Sequence, residues 1–314
     1  MTTTTIGIES REQWLVTRAQ DVTSTESPAL FGLSPYVTDF ELWHRKRDGI
    51  VEDAEPSDRM RWGLRLQDAI ARGVGEDMGW SISPANYYQR DEQDRMGSSF
   101  DFEALHPDLG RGLMEIKNVA GHVFSADWIE TDDGIEAPQH IELQVQHQME
   151  VADLPWCAIV ALVGGNDAKV TVRLRDRIIG REIRSRVRAF WASIAEGTPP
   201  KPDYKRDAEF LRQLYGKAND GETIDADHEV EALLSAYAIA RKDEEAAESH
   251  VAELRAKVLE RIGTASKVKS RFGTLSCGVA AASEGKLITP EMVGTRIGAR
   301  AAFRQFRFTA KKEK

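Results

Sequence analysis

The chain has 314 residues, 41% of them hydrophobic and 30% charged, with a formal net charge of −9. That size allows one full core plus a smaller appended module, and without a run of about 18 apolar residues a membrane span is excluded. The negative balance argues against a protein that coats nucleic acid over its whole surface, though not against one with a single basic channel. The start, Met1-Thr2-Thr3-Thr4-Thr5, lacks the basic stretch and apolar core of a secretion signal. Cys157 and Cys277 lie far apart among apolar or small residues, as reduced thiols do. The expected compartment is the cytoplasm.

Residues 9–47 read as short helices around the punctuation of Phe31-Gly32-Leu33-Ser34-Pro35-Tyr36, with Thr38 or Asp39 capping a helix through Leu42 and Trp43. After an acidic, Pro-containing loop at 52–58, apolar groups at Met60, Leu64, Ala69, Ile70 and Val74 predict an amphipathic helix over 57–78. Strands are predicted at 80–88, 96–102 and 113–119, with Gly110-Arg111-Gly112 as the turn before the last. A helix over 138–151 follows, then an apolar strand at 156–163, an alternating strand at 169–174 and a helix over 176–195. That order predicts a mixed α/β domain around one central sheet.

The stiff segment Gly197-Thr198-Pro199-Pro200-Lys201-Pro202-Asp203 closes this domain, giving expected domains 1–200 and 201–314. In the second, 228–262 carries Val230, Leu233, Tyr237, Val251, Leu254 and Val258 among many charges, which predicts one long helix or a helical hairpin. Strand-like pieces at 270–282 and 302–309 follow, ending in Lys311, Lys312 and Lys314. The seven arginines within 173–188 fit a solvated, salt-bridged face, or a DNA channel or subunit contact.

The chemistry concentrates at Asp101 and at Glu115-Ile116-Lys117. Alternate residues of a strand share a face, so Glu115 and Lys117 stand side by side. Two carboxylates suit a hard divalent ion, and an ammonium beside them can steer a water or a phosphate. That set is suited to hydrolysing a phosphodiester. The bland alternative is an exposed strand with a surface salt bridge.

Taken in order, several motifs resemble the lambda-exonuclease, or YqaJ-type, recombinase nucleases of the PD-(D/E)XK superfamily. They are Arg18 with Thr23-Ser24-Thr25-Glu26-Ser27, Gly32-Leu33-Ser34-Pro35-Tyr36, and Gly63-Leu64-Arg65-Leu66-Gln67. Gly97-Ser98-Ser99-Phe100-Asp101, Met114-Glu115-Ile116-Lys117 and Gln144-Val145-Gln146-His147-Gln148-Met149 continue the series. The resemblance covers about residues 10–200 and implies a restriction-endonuclease-like α/β core with a central mixed sheet flanked by helices, plus a C-terminal long-helix extension.

It also implies roles. Asp101, Glu115 and the backbone carbonyl of Ile116 would bind Mg²⁺, with Mn²⁺ as a substitute. Lys117 would place the attacking water and stabilise charge on the phosphate, and Gln144 would orient Lys117, the water or a phosphate. Arg18, Thr25 and Ser99 would line a pocket for a 5′-phosphate. The implied activity is 5′→3′ digestion of linear double-stranded DNA in a phage-type recombination system, by a homo-oligomer (a trimer in many members) working with a single-strand annealing protein. In one place the chain departs from the pattern: Gln67 stands where the family carries a glutamate. Gln67 as a weak ligand, Asp68 or Glu76 in its stead, or a single ion all remain open, as do a DNA-end binding protein with weakened catalysis and an endonuclease of the same fold.

Overall fold

The computed structural model describes residues 3–51, 55, 57–132, 134–217 and 221–279. The strand expected at 302–309, the terminal lysines and the end of the 270–282 segment lie outside the described residues. The chain divides into two compact units, Met1–Phe210 and Leu211–Lys314.

The first unit opens with β1 (Thr3–Gly7), α1 (Arg11–Ala19), β2 (Val22–Thr23), a 3₁₀ turn (Ser27–Phe31), α2 (Asp39–Arg47) and α3 (Asp58–Met78). The three helices start on hydroxyl caps: Ser10, Thr38 and Ser57 each accept the backbone N–H three residues on. Strands β3 (Ser81–Pro84), β4 (Tyr87–Asp91), β5 (Met96–Ser99), β6 (Phe102–His106) and β7 (Gly110–Val119) follow. Then come α4 (Gly121–Asp127), β8 (Ile129–Thr131), β9 (Gly134–Glu136), α5 (Gln139–Ala152), β10 (Trp156–Val163), β11 (Asp167–Leu174) and α6 (Arg177–Glu196). The short α7 (Ala208–Leu214) leads out of the unit.

The central sheet is mixed, in the order β11-β10-β7-β6-β3, with β7 and β10 parallel and the other neighbours antiparallel. Helices cover both faces. Leu113 and Val119 of β7 pack with Ile141, Val145 and Met149 of α5. Met114 and Ile116 pack with Ile70, Ala71 and Val74 of α3. Strand alternation therefore turns the odd positions of β7, Glu115 and Lys117 included, towards α5.

Two sequence expectations differ from what is observed. The strands expected at 80–88 and 96–102 each break in two, because the chain leaves one sheet for another at both places. β4 and β5 belong to a second sheet, β1-β4-β5-β2, so the core holds two principal sheets rather than one. The two crossings touch, with the Ala85 N–H donating to the Asp101 carbonyl at 3.2 Å. The expected turn at Gly110-Arg111-Gly112 is strand instead. Gly112 is small for packing: a Cβ there would come within 2.2 Å of the Trp156 ring.

The second unit holds α8 (His228–Ile262), one continuous helix of 35 residues capped by Asp227, with no buried residue. At about 1.5 Å per residue it spans roughly 50 Å. A hairpin of β12 (Lys267–Ser270) and β13 (Gly273–Ser276) follows.

Candidate active site

Asp101 sits on the bend where the chain crosses from β5 into β6, next to the middle of β7. Its Oδ2 accepts the Ile116 N–H at 2.8 Å, which draws the Ile116 peptide into the same corner. From the α5 side, Gln144 and Gln148 converge on Glu115. Gln144 Nε2 donates to Oε1 at 2.8 Å and Gln148 Nε2 to Oε2 at 2.7 Å. Their i, i+4 spacing puts both amides on one helix face. Lys117 Nζ donates to Glu115 Oε1 at 2.5 Å and to Gln144 Oε1 at 3.2 Å. Asp101, Glu115, Lys117 and Gln144 thus come together, and Gln148 joins them. Gln146 points elsewhere, bonding Leu174 and Asp176. His147 is fully buried, its pKa pushed down to about 3 by that burial, and it takes no part.

The electrostatics are those of two like charges confined together. Burial, and then the charge of Glu115, raise the Asp101 pKa well above the ordinary carboxylate value, against the Ile116 N–H, Lys117 and a side-chain hydrogen bond from Gln67. Burial would lower the Lys117 pKa, but Glu115 and Asp101 outweigh it and raise it. Lys117 therefore stays an ammonium at neutral pH and acts as a cation rather than a base. A divalent cation fits this donor set: the oxygens are hard, and burial with the charges of Glu115 and Asp101 raises the pKa of the neighbouring Cys157 thiol and keeps it protonated. Among the described residues no group of three or more His, Cys, Asp and Glu is placed to hold a metal ion, so a cation here would have two carboxylates and peptide oxygen to bind. Gln67, on α3, reaches the site as a partner of Asp101.

This arrangement makes a stability prediction. A carboxyl with a raised folded-state pKa costs stability as pH climbs from its unfolded value through the folded one. Asp101→Asn, which still offers an oxygen to the Ile116 N–H, is expected to raise the melting temperature of EDTA-treated protein by a few degrees at pH 8 and not at pH 4. Mg²⁺ is expected to stabilise the parent protein and not the variant. Thermal melts at the two pH values, with and without Mg²⁺, check this, and equal melting at pH 8 would refute it.

The phosphate-pocket candidates also meet. Arg18 Nη2 donates to Thr25 Oγ1 at 3.0 Å, and the guanidinium lies 4.4 Å from the centroid of the Trp14 ring. The indole N–H of Trp14 donates to Ser99 Oγ at 2.7 Å. Sequence reasoning missed Trp14 and the Lys46–Glu26 pair (2.9 Å) that backs this corner, whose Lys46 Nζ also donates to the Arg18 carbonyl. Thr25 also lines a cleft of about 550 Å³ that holds Tyr36, Arg59, Lys117, His140 and Gln144. Thr25 of the Arg18 corner therefore faces one space with Lys117 and Gln144.

Residues 13–155, which hold both clusters, match the model of the YqaJ-like viral recombinase domain. Over 224 residues the chain is 21% identical to the protein YqaJ of Bacillus subtilis (strain 168), a match spanning 69% of this chain and 67% of that one. Among solved structures, the chain is similar to the alkaline exonuclease LHK-Exo of Laribacter hongkongensis at 20% identity and a TM-score of 0.46, covering 64% of this chain and 99% of that one. It is also similar to LHK-Exo in complex with dAMP, at 19% identity and a TM-score of 0.45, covering 65% and 97%. A phage-related exonuclease of Haemophilus somnus 129PT matches at 10% identity and a TM-score of 0.36, covering 56% and 96%. The matched stretch ends just before β10, so Asp101, Glu115, Lys117, Gln144 and Gln148 all fall inside it.

Proposed function

We propose that this chain is a Mg²⁺-dependent deoxyribonuclease that digests linear double-stranded DNA from its 5′ ends. The observation that carries the reading is Asp101 beside the buried Glu115, with Lys117 bonded to Glu115 and lining a cleft that also contains Thr25 of the Arg18 corner. Asp101, Glu115 and the Ile116 carbonyl would hold the cation. When bound, it would polarise the scissile phosphate and lower the pKa of a water.

The remaining work falls to side chains of this chain. Lys117, held as an ammonium, offsets the negative charge that builds on the phosphate oxygens during in-line attack. Gln144 fixes Lys117 by accepting from Nζ while its own amide holds Glu115, so two donors and one acceptor share a single geometry. Gln148 restrains the other Glu115 oxygen. In the Arg18 corner, a guanidinium fork and the hydroxyls of Thr25 and Ser99 match the oxygens of a terminal phosphate. The Trp14 ring, 4.4 Å from the guanidinium, restrains that fork. The nucleic-acid partner is a duplex end, and a phage-type recombination role with a single-strand annealing protein belongs to the same proposal.

Digestion of linear duplex DNA with and without a 5′-phosphate, in Mg²⁺ and in EDTA, tests the reading. Rapid nucleotide release is expected only from the phosphorylated linear substrate in Mg²⁺. Equal cutting of circular DNA would make the protein an endonuclease, and intact termini in both Mg²⁺ and Mn²⁺ would sink the proposal. Arg18→Ala is expected to lower the rate on phosphorylated ends about 10- to 100-fold, the size of a lost charge-assisted hydrogen bond, and to leave the rate on dephosphorylated ends unchanged.

One observation favours a second reading. Gln67 is engaged with Asp101 by a side-chain hydrogen bond, in the place where the resemblance calls for a third carboxylate. A DNA-end binding protein with weakened catalysis would bind phosphorylated ends tightly in Mg²⁺ and release nothing in the same assay.

A further inference from the structure

The cleft beside Lys117 has a wall that the hydrolytic cluster leaves unused. Tyr36 follows Pro35 in the loop between the 3₁₀ turn and α2, and it stands 80% exposed. An aromatic ring left that open keeps most of a large apolar surface in water. Its contact with His140, at the start of α5, is edge-to-face: the ring centroids lie 5.9 Å apart and the planes at 86°. Such a contact restrains the Tyr36 ring while covering at most one of its faces. Both rings line the cleft of about 550 Å³ that also holds Thr25, Arg59 and Lys117.

The chemistry of this lining is divided. Lys117 and Arg59 bring positive charge, while Pro35, Tyr36 and Trp128 bring flat apolar surface. Burial, and then the charge of Lys117, lower the His140 pKa, so its ring is neutral at pH 8 and adds no charge to the apolar wall. The volume falls within the range of about 300–1,000 Å³ usual for small-ligand sites. An occupant that is anionic at one end and flat and apolar at the other matches both halves, and a nucleotide is such a molecule.

On the nuclease reading, on which this inference rests, a strand held by its 5′-phosphate at Thr25 and cut beside Lys117 lays a nucleoside between the two. We propose that the cleft seats this terminal nucleoside, with its base stacked on Tyr36 and the Tyr36 ring held in turn by His140. Stacking of this kind places the nucleoside without reading its identity, because every base presents a π-face. Tyr36 therefore contributes to positioning the strand and not to sequence preference.

Single-turnover digestion of 5′-phosphorylated duplex by the full chain, with either a normal or an abasic terminal nucleotide, tests this. Tyr36→Ala is expected to slow release from the normal end about 5- to 100-fold, the size of one lost base stack. Tyr36→Phe, which keeps the ring, is expected to bring the rate back to within about twofold of the parent. The abasic end is expected to slow the parent by the same factor, and Tyr36→Ala to add nothing further on that end. Equal slowing of both ends by Tyr36→Ala would show a merely structural role and overturn the inference, as would a parent indifferent to the missing base. A parent that releases nothing from any end fails the nuclease reading, and binding then decides. A fluorescent purine analogue at the 5′ terminus, in Ca²⁺, is expected to be quenched by the parent and by Tyr36→Phe but not by Tyr36→Ala. Fluorescence unchanged on binding the parent would overturn the inference.

Discussion

Lys117→Ala is expected to lower nucleotide release by about 10²–10³-fold, the usual effect of removing one donor aimed at developing charge, while the affinity for 5′-phosphorylated ends stays within about twofold. Lys117 is bonded to Glu115 and Gln144 and not to the Arg18 corner, so end recognition and hydrolysis separate in this variant. Glu115→Gln is expected to fall at least as far. It removes one of the two carboxylates proposed to hold the cation and leaves Lys117 without its anionic partner, so both cation binding and the lysine's position are expected to suffer. The two variants differ in thermal melts. Without Lys117, the Asp101–Glu115 repulsion in metal-free protein has one less cation against it, so the melting temperature in EDTA drops and Mg²⁺ restores it. With Glu115→Gln the repulsion is gone and Mg²⁺ changes little. Single-turnover digestion together with filter binding checks the first pair of outcomes. If Lys117→Ala loses end binding in proportion to rate, the two clusters are one site.

The part of this site that was legible in the sequence is the part set by local periodicity. Alternation in β7 put Glu115 beside Lys117, while Gln144 was implied by the family resemblance rather than by periodicity. Gln148 was equally readable as the i+4 neighbour of Gln144 but was passed over because one glutamine sufficed for the motif. Other features depend on distant partners. The break at Asp101 follows from β5 pairing with β2 and β4 while β6 pairs with β3 and β7, and no window of sequence contains that choice. Gly112 read as a turn because glycine usually signals one, whereas here the Trp156 ring takes the space a Cβ would fill. For Trp14, the signal was absent: its indole bridges Arg18 to Ser99, a residue 85 positions away.

The arginine run at 173–188 is where the sequence was most misleading, and it carries the largest expected effect on stability. Four of its members face inward or across to acids, Arg173 among them through Glu142. Arg184 is buried and bonded to Asp91 and Asp94 through Nη1, at 2.6 and 2.7 Å, and to Glu150 through Nε at 2.6 Å. Arg175 reaches Glu150, and Arg188 closes on Asp94. Gly180 makes room for Glu150: a Cβ there would come within 2.5 Å of its Oε2. The cluster ties α6 to α5 and to the β4–β5 turn, so it holds the second sheet against the helix that carries Gln144 and Gln148.

Arg184→Leu strands three carboxylates in a dry pocket with two guanidiniums at its edge. Breaking a buried ion pair from one side costs about 3–5 kcal/mol, or on the order of 10 °C in melting temperature for a unit of this size. The pH dependence gives the sign. Burial raises the Asp94 pKa, but the hydrogen bonds and charges of Arg188 and Arg184 hold it below the ordinary value. That stabilisation is present above the unfolded pKa and is lost as pH falls through the folded one. In the variant part of this pull is gone, so the deficit is expected to be greatest near pH 8 and to shrink towards pH 5 as the stranded carboxylates take up protons. Thermal melts of the parent and Arg184→Leu proteins across that range measure it. A deficit that stays constant with pH would mean that lost packing rather than unpaired charge destabilises the variant, and a variant as stable as the parent would mean that the cluster is solvated and contributes nothing.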